Sequence, residues 1–595
     1  MRKQQAAPAR RAARRMAARA ARAARPAPAR RAASPARRAA ALCLAALPLW
    51  GCAPGNDAQP SEPAQGTRAM VVTPHPEATR AGLAMLEAGG QAVDAAIAAA
   101  FALGVVQPQS MGIGGGCFLL VRLADGRTFA LDARETAPAA STPDMFAPPA
   151  PRDASRRGGL AIGTPGLVAG LAQAQRDWGA LPLDALLAPA IRLAEEGVPL
   201  GPYQWGIIRR IRTPELLERF PEASRIQFPP TAQGPDWVKR QPELARTLRA
   251  IAKDGPRAFY QGAAAAGMAR TAQQHGGVLS QADLAAYRPV LREPLRGQWR
   301  GLQLLTFPPP SSGGVTLLEI LNVVEDFDLR GDGAGSARTI HRLAEAMKLA
   351  FADRAVHLGD PDFAEIPAAQ LISKKYAAQL RGRIGERAAL VEGPGFAAED
   401  GGTAHLSVVD SAGNAVALTG TINGPFGSMV SVPGWGILLN NEMDDFVTDP
   451  EGANLYGLAG RRDSANLVAP GKRPLSSMAP TIVLENGAVR FVAGSNGGPR
   501  IITATLQSFL NHFAFQMDVL QAVSAPRFHH QWRPDRILLE AAHPAAVAAD
   551  LRRRGHKVKL TPRIPTGVQA ITRDPQTGRL HGAPDPRRDG LAQGL

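Results

Sequence analysis

The chain has 595 residues, of which 45% are hydrophobic and 20% charged. This balance can bury a large core and excludes an intrinsically disordered protein. The net charge is +17, but residues 1–40 hold 13 Lys and Arg residues and no Asp or Glu, which leaves 17 less 13, or +4, for the remainder. The charge therefore belongs to a tail, and no nucleic-acid partner is expected for the folded body.

The basic tail precedes a short apolar run, AAALCLAALPLWGC, which ends at Cys52. This order predicts an export signal over residues 1–51, because the run is too short for a convincing membrane span. The ending LWGC partly fits a lipoprotein cleavage box, and Arg37-Arg38 loosely resembles a twin-arginine signal. We expect an exported, periplasmic protein, either free or held at the membrane by a lipid on Cys52. A disordered basic tail, or a start at Met16, is the alternative.

The next segments predict a linker and then the start of a folded body. Residues 52–68 are rich in Pro, Gly and polar residues, which is typical of a linker. MVVT at 70–73 predicts a short strand, and helical spacing follows over 76–87. The Ala-rich segment 92–103 predicts a second helix that is apolar nearly all round and should be buried.

A glycine loop and two strands, GIGGGCFLLVRL and RTFALDARE, come next. The glycines could suggest phosphate binding, but no Lys-Ser/Thr pair follows and the next element is a strand rather than a helix. Residues 180–350 predict mostly helices, whereas short strands predominate after residue 403. The strands are predicted at 404–409, 415–422, 436–440, 479–485 and 490–494, with a helix near 500–514.

The stretch EDGGTAHLSVVD places Thr403 directly after two glycines and at the start of a strand. Polar and apolar residues alternate from Thr403 to Val408, as in a half-buried strand. The loop 411–413 suits a β-hairpin with a return strand over 415–423.

A hairpin that is symmetric about Ala412 pairs Thr403 with Thr421, and directly opposed hydroxyls are within reach of each other. Asn423 would extend beyond Thr421 on the same face. A glycine bulge could shift this register by one residue, and an ordinary Thr–Thr pair on a sheet is the alternative.

Several ordered motifs resemble the γ-glutamyltransferase (γ-glutamyl transpeptidase) family. They are GGQAVDAAIAAAFALGVVQPQSMGIGGG, LDARETAP, PPPSSGG, LAEAMKLAFADRA, TAHLSVVD, TINGPFGS, GILLNNEMDDF, KRPLSSMAPTIV, GSNGGPRIIT and PRFHHQW, spread over 69–590. The resemblance implies an α/β fold of the N-terminal nucleophile hydrolase type, a four-layer αββα sandwich. It also implies a precursor that cleaves itself between Gly402 and Thr403. A large subunit, 69–402, and a small subunit, 403–595, would then form one heterodimeric body.

The same resemblance implies catalytic roles for four residues. Thr403 would be the nucleophile, and its freed α-amine, with an ordinary pKa of about 7.7–8.0, would be the base. Thr421 would orient the Thr403 hydroxyl, and the backbone N–H groups of Gly497 and Gly498 would hold the oxyanion. His405, His529 and His530 are then read as structural, and neither a cofactor nor a metal is expected.

The resemblance further implies the groups that recognise the substrate, a γ-glutamyl compound such as glutathione. Arg134, Ser476 and Ser477 would bind its α-carboxylate. Its α-ammonium would be held by Asn423, Glu442 and Asp445. Tyr456 would lie in a lid, 447–472, over the pocket. Water or an amino acid or peptide would accept the γ-glutamyl group.

Two alternatives to this function stay open from the sequence. A β-lactam side-chain acylase or a polyglutamate-acting enzyme would keep the fold and change the substrate. A non-enzymatic surface protein on the same scaffold is disfavoured by the intact Thr403, Thr421 and Gly497-Gly498.

Overall fold

Two seven-stranded antiparallel sheets, sheet I and sheet II, form the centre of the protein in a computed structural model that describes residues 62–391 and 401–595. In spatial order sheet I consists of Leu591–Gly594, Met70–Thr73, Gly402–Val409, Ala415–Asn423, Gly116–Arg122, Thr128–Ala133 and Val290–Arg292. Sheet II consists of Ala64–Gly66, Leu580–Pro584, Gln569–Arg573, Ala488–Gly494, Thr481–Glu485, Leu302–Thr306 and Leu295–Trp299.

The two sheets pack face to face. Because successive side chains of a strand point to opposite faces of its sheet, each strand contributes to two separate cores. Met70 and Val72 join the core between the sheets, whereas Val71 joins the core under the first helical layer. In the inter-sheet core the rings of Phe118 and Phe307 stack with centroids 4.0 Å apart. Central strands with both faces covered have no solvent face.

Two helical layers complete the four-layer sandwich, which confirms the predicted fold class. The helices Pro76–Glu87, Ala92–Val106, Leu167–Trp178, Leu183–Glu196 and Pro242–Asp254 share the core on the outer face of sheet I. The helices Ser312–Val324, Ala337–His357 and Arg500–Phe513 share the core with sheet II. Every residue of Ala92–Val106 is buried, as its Ala-rich sequence predicted, because small side chains allow close approach to the sheet.

Shorter elements cover the ends of the sandwich. The further helices are Gly201–Ile211, Pro214–Arg219, Pro221–Gln227, Arg257–Tyr260, Gly262–Gln274, Gln281–Ala286, Leu329–Asp332, Ala368–Leu371, Lys374–Arg381, Val519–Ser524 and Ala545–Arg553, with 3-10 turns at Gly159–Ala161 and Glu442–Asp445. Small strands occur at Val198–Pro199, Val238–Lys239, Ser431–Val432, Ile437–Leu438, Phe528–His529, Ile537–Glu540 and Val558–Thr561. None of the helices within the described ranges is long and apolar enough to cross a bilayer.

The predicted linker, 52–68, overlaps the fold at its end. Ala64–Gly66 is an edge strand of sheet II that pairs with Leu580–Pro584. The backbone N–H groups of Thr67 and Arg68 each donate to the Leu595 carbonyl at 2.8 Å. These residues are held through backbone groups, which a polar, Gly-containing sequence does not reveal. The predicted export signal, Cys52 and the start of the linker lie outside the described residues.

Candidate active site

The hairpin that carries Thr403 has the predicted register. Thr403 lies opposite Thr421, and Gly413, at φ 89°, closes the turn in the left-handed conformation. A bulge occurs, but it falls between Gly402 and Thr403 and leaves Gly402 opposite Asn423. The irregularity of the ladder therefore lies at the Gly402–Thr403 bond itself.

The expectation of a half-buried strand was wrong, because all eight residues of Gly402–Val409 are buried. The polar face of this strand is satisfied inside the molecule. His405 Nδ1 lies 2.8 Å from Thr419 Oγ1 and His405 Nε2 lies 3.1 Å from Ser407 Oγ, and Ser407 donates to the Gln569 carbonyl of sheet II. Alternation identified the strand, but it could not show that a second sheet covers the polar face.

A chain of hydrogen bonds joins Thr403 to the carbonyl that precedes it. Thr421 Oγ1 donates to the Gly402 carbonyl oxygen at 2.8 Å and lies 3.2 Å from Thr403 Oγ1. The backbone N–H of Asn423 donates to Thr421 Oγ1 at 2.8 Å. Because a hydroxyl has one hydrogen, Thr421 can donate to Gly402 only if it accepts from Thr403. The arrangement polarises the Gly402 carbonyl and leaves lone pairs free on Thr403 Oγ1.

The two glycines before Thr403 lie where side chains do not fit. A Cβ atom at Gly402 would lie 2.5 Å from the Gln109 carbonyl oxygen and 2.5 Å from that of Gly424. A Cβ atom at Gly401 would lie 2.9 Å from Tyr456 Cε1. Glycine at both positions therefore allows the backbone to pass through a narrow space.

Gly497 and Gly498 form a left-handed turn beside this segment. Their φ angles are 120° and 60°, which other residues rarely adopt. A Cβ atom at Gly498 would lie 2.4 Å from Tyr456 Cδ1. Neither glycine N–H donates to a backbone or side-chain acceptor in the part of the chain that the structure describes, so both amides are available to a ligand.

Tyr456, in the predicted lid, is buried and lies between the glycine pairs. Its hydroxyl donates to the Asn423 carbonyl at 2.9 Å, and its own carbonyl accepts from Gln531 Nε2 at 3.0 Å. Burial raises the pKa of the Tyr456 phenol well above its ordinary value, so the hydroxyl is a donor at neutral pH. The Tyr456 side chain therefore packs against Gly401 and Gly498.

Arg134 is fully buried and pairs with two of the residues predicted to bind substrate. Its Nη1 donates to Glu442 Oε1, and its Nη2 donates to Asp445 Oδ2 at 2.6 Å. Its Nε donates to the Pro474 carbonyl at 3.0 Å. The predicted carboxylate-binding and ammonium-binding groups therefore contact each other, so a zwitterionic ligand would have to exchange partners with them.

The acids around Arg134 form a coupled group. Burial raises the pKa of Asp445 and raises that of Glu442 well above its ordinary value, while Arg134 opposes both shifts. Burial also raises the pKa of the neighbouring Glu135 to about 7. No donor of a described residue lies within hydrogen-bond distance of either oxygen of Glu135 or of Glu442 Oε2. The Glu135 and Glu442 side chains instead interact with each other, as two carboxyls that share a proton do. A cationic ligand group beside this pair would favour the ionised carboxylates.

Asn423 connects the Thr403 hairpin to this acidic group. Its φ is 68°, and its Nδ2 donates to the Asn441 carbonyl at 2.9 Å. Asn441 in turn accepts the Gly424 N–H on its side-chain oxygen at 2.7 Å. Asn423 Oδ1 is buried and has no hydrogen-bond partner among the described residues. It is a free acceptor, as its predicted role at the substrate ammonium requires.

Ser476 and Ser477 lie on a loop that two other segments fix in place. The Ser312 N–H and hydroxyl both donate to the Ser476 carbonyl, at 2.8 and 2.7 Å. Ser477 Oγ accepts from Arg354 Nη2 at 3.2 Å. The rigid PPPSSGG loop that contains Ser312 thus supports the predicted carboxylate-binding serines.

The sequence comparison decides the family. A family model described as Gamma-glutamyltranspeptidase matches residues 78–595. The chain belongs to the γ-glutamyltranspeptidase family. A glutathione hydrolase proenzyme of Escherichia coli strain K12 is 41% identical over 536 residues, which cover 88% of this chain and 91% of the relative.

Some proteins and solved structures that are similar to this γ-glutamyltranspeptidase chain are named as acylases. Acylase ACY 1 proenzyme of Pseudomonas sp. strain SE83 is 40% identical over 543 residues, covering 89% of this chain and 94% of the relative. The crystal structure of cephalosporin acylase from Bacillus halodurans superposes with a TM-score of 0.79 at 32% identity, covering 91% of this chain and 99% of that one.

The three histidines considered from the sequence are bonded to groups other than Thr403. Burial lowers the pKa of His405 to about 3, and that of His529, which contacts Thr503 and Gln531, also to about 3. His530 lies 3.3 Å from Asp535. The γ-glutamyltranspeptidase active site therefore holds no histidine base next to Thr403 within the described chain.

One side-chain group within the described ranges has ligand atoms close enough to hold a metal ion: His341, Glu345 and His556. Its atoms already have partners. His341 Nδ1 and His556 Nε2 lie 2.8 Å apart, and Lys348 Nζ lies 2.8 Å from Glu345 Oε1. Lys348 neutralises the Glu345 carboxylate. We therefore interpret His341, Glu345 and His556 as a buried polar network of this γ-glutamyltranspeptidase fold rather than as a metal site.

Sequence reasoning missed three features of the site. Glu135, Asn441 and Arg354 carried no role, although Glu135 is part of the quoted LDARE motif. The glycine loop was only excluded as a phosphate site. A Cβ atom at Gly115 would lie 2.0 Å from the Thr421 carbonyl oxygen, so this loop packs directly behind the Thr421 strand.

Proposed function

We propose that the chain is the precursor of a γ-glutamyltransferase that cleaves itself between Gly402 and Thr403. The observation that carries the proposal is the hydrogen-bonded path from Thr403 through Thr421 to the Gly402 carbonyl. Thr403 Oγ1 attacks the Gly402 carbonyl carbon, the C–N bond breaks, and the nitrogen takes the hydroxyl proton. Water then hydrolyses the resulting ester and leaves Thr403 with a free α-amine.

The freed Thr403 carries both nucleophile and base in one residue. Its amine has an ordinary pKa of about 7.7–8.0 and can accept the hydroxyl proton near neutral pH. Attack on a γ-glutamyl amide gives a γ-glutamyl ester on Thr403 and releases the amine. The N–H groups of Gly497 and Gly498 are available to the oxyanion. Water or an amino acid or peptide then takes the γ-glutamyl group.

The residues around Arg134 would recognise the α-carboxylate and α-ammonium of the γ-glutamyl substrate. Arg134, Ser476 and Ser477 take the α-carboxylate, and Asn423 Oδ1, Glu442 and Asp445 take the α-ammonium. The buried Asn423 Oδ1, which has no hydrogen-bond partner among the described residues, supports this role. Relatives named glutathione hydrolase proenzyme support glutathione as a donor, from which the first step would release cysteinylglycine.

The test of self-cleavage uses the wild-type chain and Thr403→Ala on a denaturing gel, with N-terminal sequencing of the smaller fragment. We expect two fragments from the wild type, the smaller beginning at Thr403, and one intact band from Thr403→Ala. An intact wild type, or a different new N-terminus, would refute the proposal. Release of nitroaniline from γ-glutamyl-p-nitroanilide, with and without glycylglycine, then measures hydrolysis and transfer.

A β-lactam side-chain acylase is the second candidate, because relatives named acylase are as similar as those named glutathione hydrolase. A glutaryl amide retains a carboxylate but lacks the ammonium that Glu442 and Asp445 would bind. We expect γ-glutamyl-p-nitroanilide to react at least tenfold faster than glutaryl-p-nitroanilide, about the value of one good hydrogen bond. The opposite order would favour the acylase.

For the location of the enzyme we propose export to the periplasm, with Cys52 as the candidate lipid site. The support is the order of a basic tail, a short apolar run and Cys52 in the sequence. Fractionation of cells that express the wild type or Cys52→Ala tests it. A wild type that stays in the cytoplasm would contradict export, and equal release of both proteins from membranes would contradict the lipid.

A further inference from the structure

Arg354 is a buried cation beside the predicted substrate carboxylate site. It lies in the last turn of the helix Ala337–His357 and is 7% exposed. Its Nε donates to Ser312 Oγ at 2.8 Å, and its Nη2 donates to Ser477 Oγ at 3.2 Å. Both partners are neutral hydroxyls, one at the start of the helix Ser312–Val324 and one on the loop that carries Ser476.

Arg354 lacks the carboxylate partner that three other buried arginines have. Arg134 pairs with Asp445, Arg473 pairs with Asp132 and Arg527 pairs with Asp585. No carboxylate of a described residue lies within ion-pair distance of Arg354. Burial lowers its pKa to about 10, so the guanidinium stays charged at neutral pH. The carbonyl end of its helix offsets only part of the cost of burying an unpaired charge.

The hydrogen bond from Arg354 also determines what Ser477 can do. Ser477 Oγ accepts from the guanidinium, so its single hydrogen remains free to donate elsewhere. No other hydrogen bond of the Ser477 hydroxyl occurs within the described ranges. Arg134 reaches the same loop through the Pro474 carbonyl, but its guanidinium already pairs with Glu442 and Asp445. Arg354 is therefore the cation at the serine loop that no described carboxylate meets at ion-pair distance, because Asp445 acts on it only from further away.

We propose that Arg354 is a specificity-determining positioning residue, which holds Ser477 as a hydrogen-bond donor and supplies the counter-charge for the substrate α-carboxylate. The inference rests on the proposed γ-glutamyl transfer and adds a second arginine to the recognition of the head group. A ligand carboxylate on Ser477 gives the guanidinium a closer counter-charge than Asp445 provides in the unliganded protein. A substrate with an uncharged α-carboxamide would leave Arg354 buried and unpaired.

The experiment compares L-γ-glutamyl-p-nitroanilide with its α-carboxamide analogue as substrates of the wild type, Arg354→Met, Arg354→Lys and Ser477→Ala. The readout is the ratio of the two kcat/KM values, which does not depend on how much of each preparation is processed. We expect Arg354→Met to lower this ratio by about 10- to 100-fold, the range for a charge-assisted hydrogen bond, chiefly through KM for the carboxylate substrate. Arg354→Lys keeps the charge without the planar fork and should fall between.

Arg338→Met is the matched control, since Arg338 lies in the same helix with half of its side chain exposed. It should leave the ratio unchanged. The double variant Arg354→Met with Ser477→Ala should lower the ratio no further than the larger of the two single effects. The reason is that Arg354→Met already removes the hydrogen bond that positions Ser477. If Arg354→Met stays uncleaved, Arg354→Lys and Ser477→Ala provide the ratio.

A wild-type ratio in the processed Arg354 variants would overturn the proposal, even if less protein matured, because a purely structural role changes yield rather than discrimination. A wild-type ratio in Ser477→Ala would overturn the part that acts through the serine. A wild-type chain that turns over neither anilide would instead refute the proposed function.

Discussion

The hydroxyl of Thr421 contacts each group that would take part in self-cleavage. It donates to the Gly402 carbonyl, meets Thr403 Oγ1 and accepts the Asn423 N–H. We expect Thr421→Val, which keeps the shape and removes the hydroxyl, to slow cleavage by about 100- to 1000-fold, as loss of an oxyanion donor does. A time course on denaturing gels measures the rate.

Thr421→Ser retains the hydroxyl and is the control for that experiment. It should cleave within about tenfold of the wild-type rate, since only a methyl group is lost. Equal rates for Thr421→Val and the wild type would show that the hydrogen bond to Gly402 does not assist the reaction.

Glu135 gives the protein a pH dependence of stability. Burial raises the pKa of the folded Glu135 from 4.5 to about 7, so the folded state holds this proton more tightly than the unfolded state does. Its contribution to the free energy of unfolding is full below pH 4.5 and is lost as the pH rises through 7. We expect Glu135→Gln to reduce the loss of stability between about pH 5 and pH 8, because the neutral amide has no proton to lose.

Urea unfolding followed by circular dichroism at both pH values tests this, on the Thr403→Ala background so that the chain stays whole. The exposed Glu293→Gln is the control and should leave the pH dependence unchanged. A Glu135→Gln protein with the wild-type pH dependence would place the titrating group elsewhere.

The residue scale also shows where sequence reasoning ended. The pairing of Thr403 with Thr421 followed from a turn and a period of two, because hairpin geometry is local. The contact of Arg134 with Asp445 joins residues that are 311 positions apart. Arg354 lies in the motif LAEAMKLAFADRA, but the motif implies no role for it. Only the absence of a carboxylate at ion-pair distance, visible after folding, distinguishes it from a surface arginine.

The start of the strand Gly402–Val409 is closely packed around Gly402. A methyl group at Gly402 would press on the carbonyl oxygens of Gln109 and Gly424, both at 2.5 Å. We expect Gly402→Ala to destabilise the precursor by about 1–3 kcal/mol, the range for overpacking, and to slow cleavage. Differential scanning calorimetry and the gel assay measure the two effects.

Gly385→Ala is the matched control, because a Cβ atom there would meet nothing within 4 Å. It should leave both stability and cleavage close to wild type. Normal cleavage in Gly402→Ala would mean that the start of the strand relaxes around the added methyl group.

Elements with strong periodicity or composition were predictable, and elements held by the backbone were not. The Ala-rich helix was foreseen to 103 and extends to Val106, since its last residues are as apolar as the rest. The strand predicted at 436–440 shortens to Ile437–Leu438. The edge strand Ala64–Gly66 was read as linker, because its pairing uses backbone groups alone.

At the scale of the whole molecule, each sheet contains strands from both sides of residue 403. In sheet I, Met70–Thr73 lies between Leu591–Gly594 and Gly402–Val409. In sheet II, Thr481–Glu485 pairs with Leu302–Thr306. We expect the cleaved fragments to co-purify in native buffer and to unfold in one cooperative transition, because neither could close its sheets alone.

Size-exclusion chromatography of the processed protein, with and without denaturant, measures this association. The uncleaved Thr403→Ala chain is the reference for elution volume. Separation of the fragments in native buffer would contradict an interleaved heterodimer.

The interleaving of sheet I has a consequence for the order of events on the ribosome. Met70–Thr73 emerges early but waits for Gly402–Val409 and then for Leu591–Gly594, its two neighbours in the sheet. Contacts of such high sequence separation form late and leave apolar strands uncovered during translation or export. Thr421, Gly498 and Arg134 likewise come together only when distant segments have docked. Thr403 would therefore acquire its free α-amine only after the chain has folded. Active enzyme would then come only from correctly folded molecules.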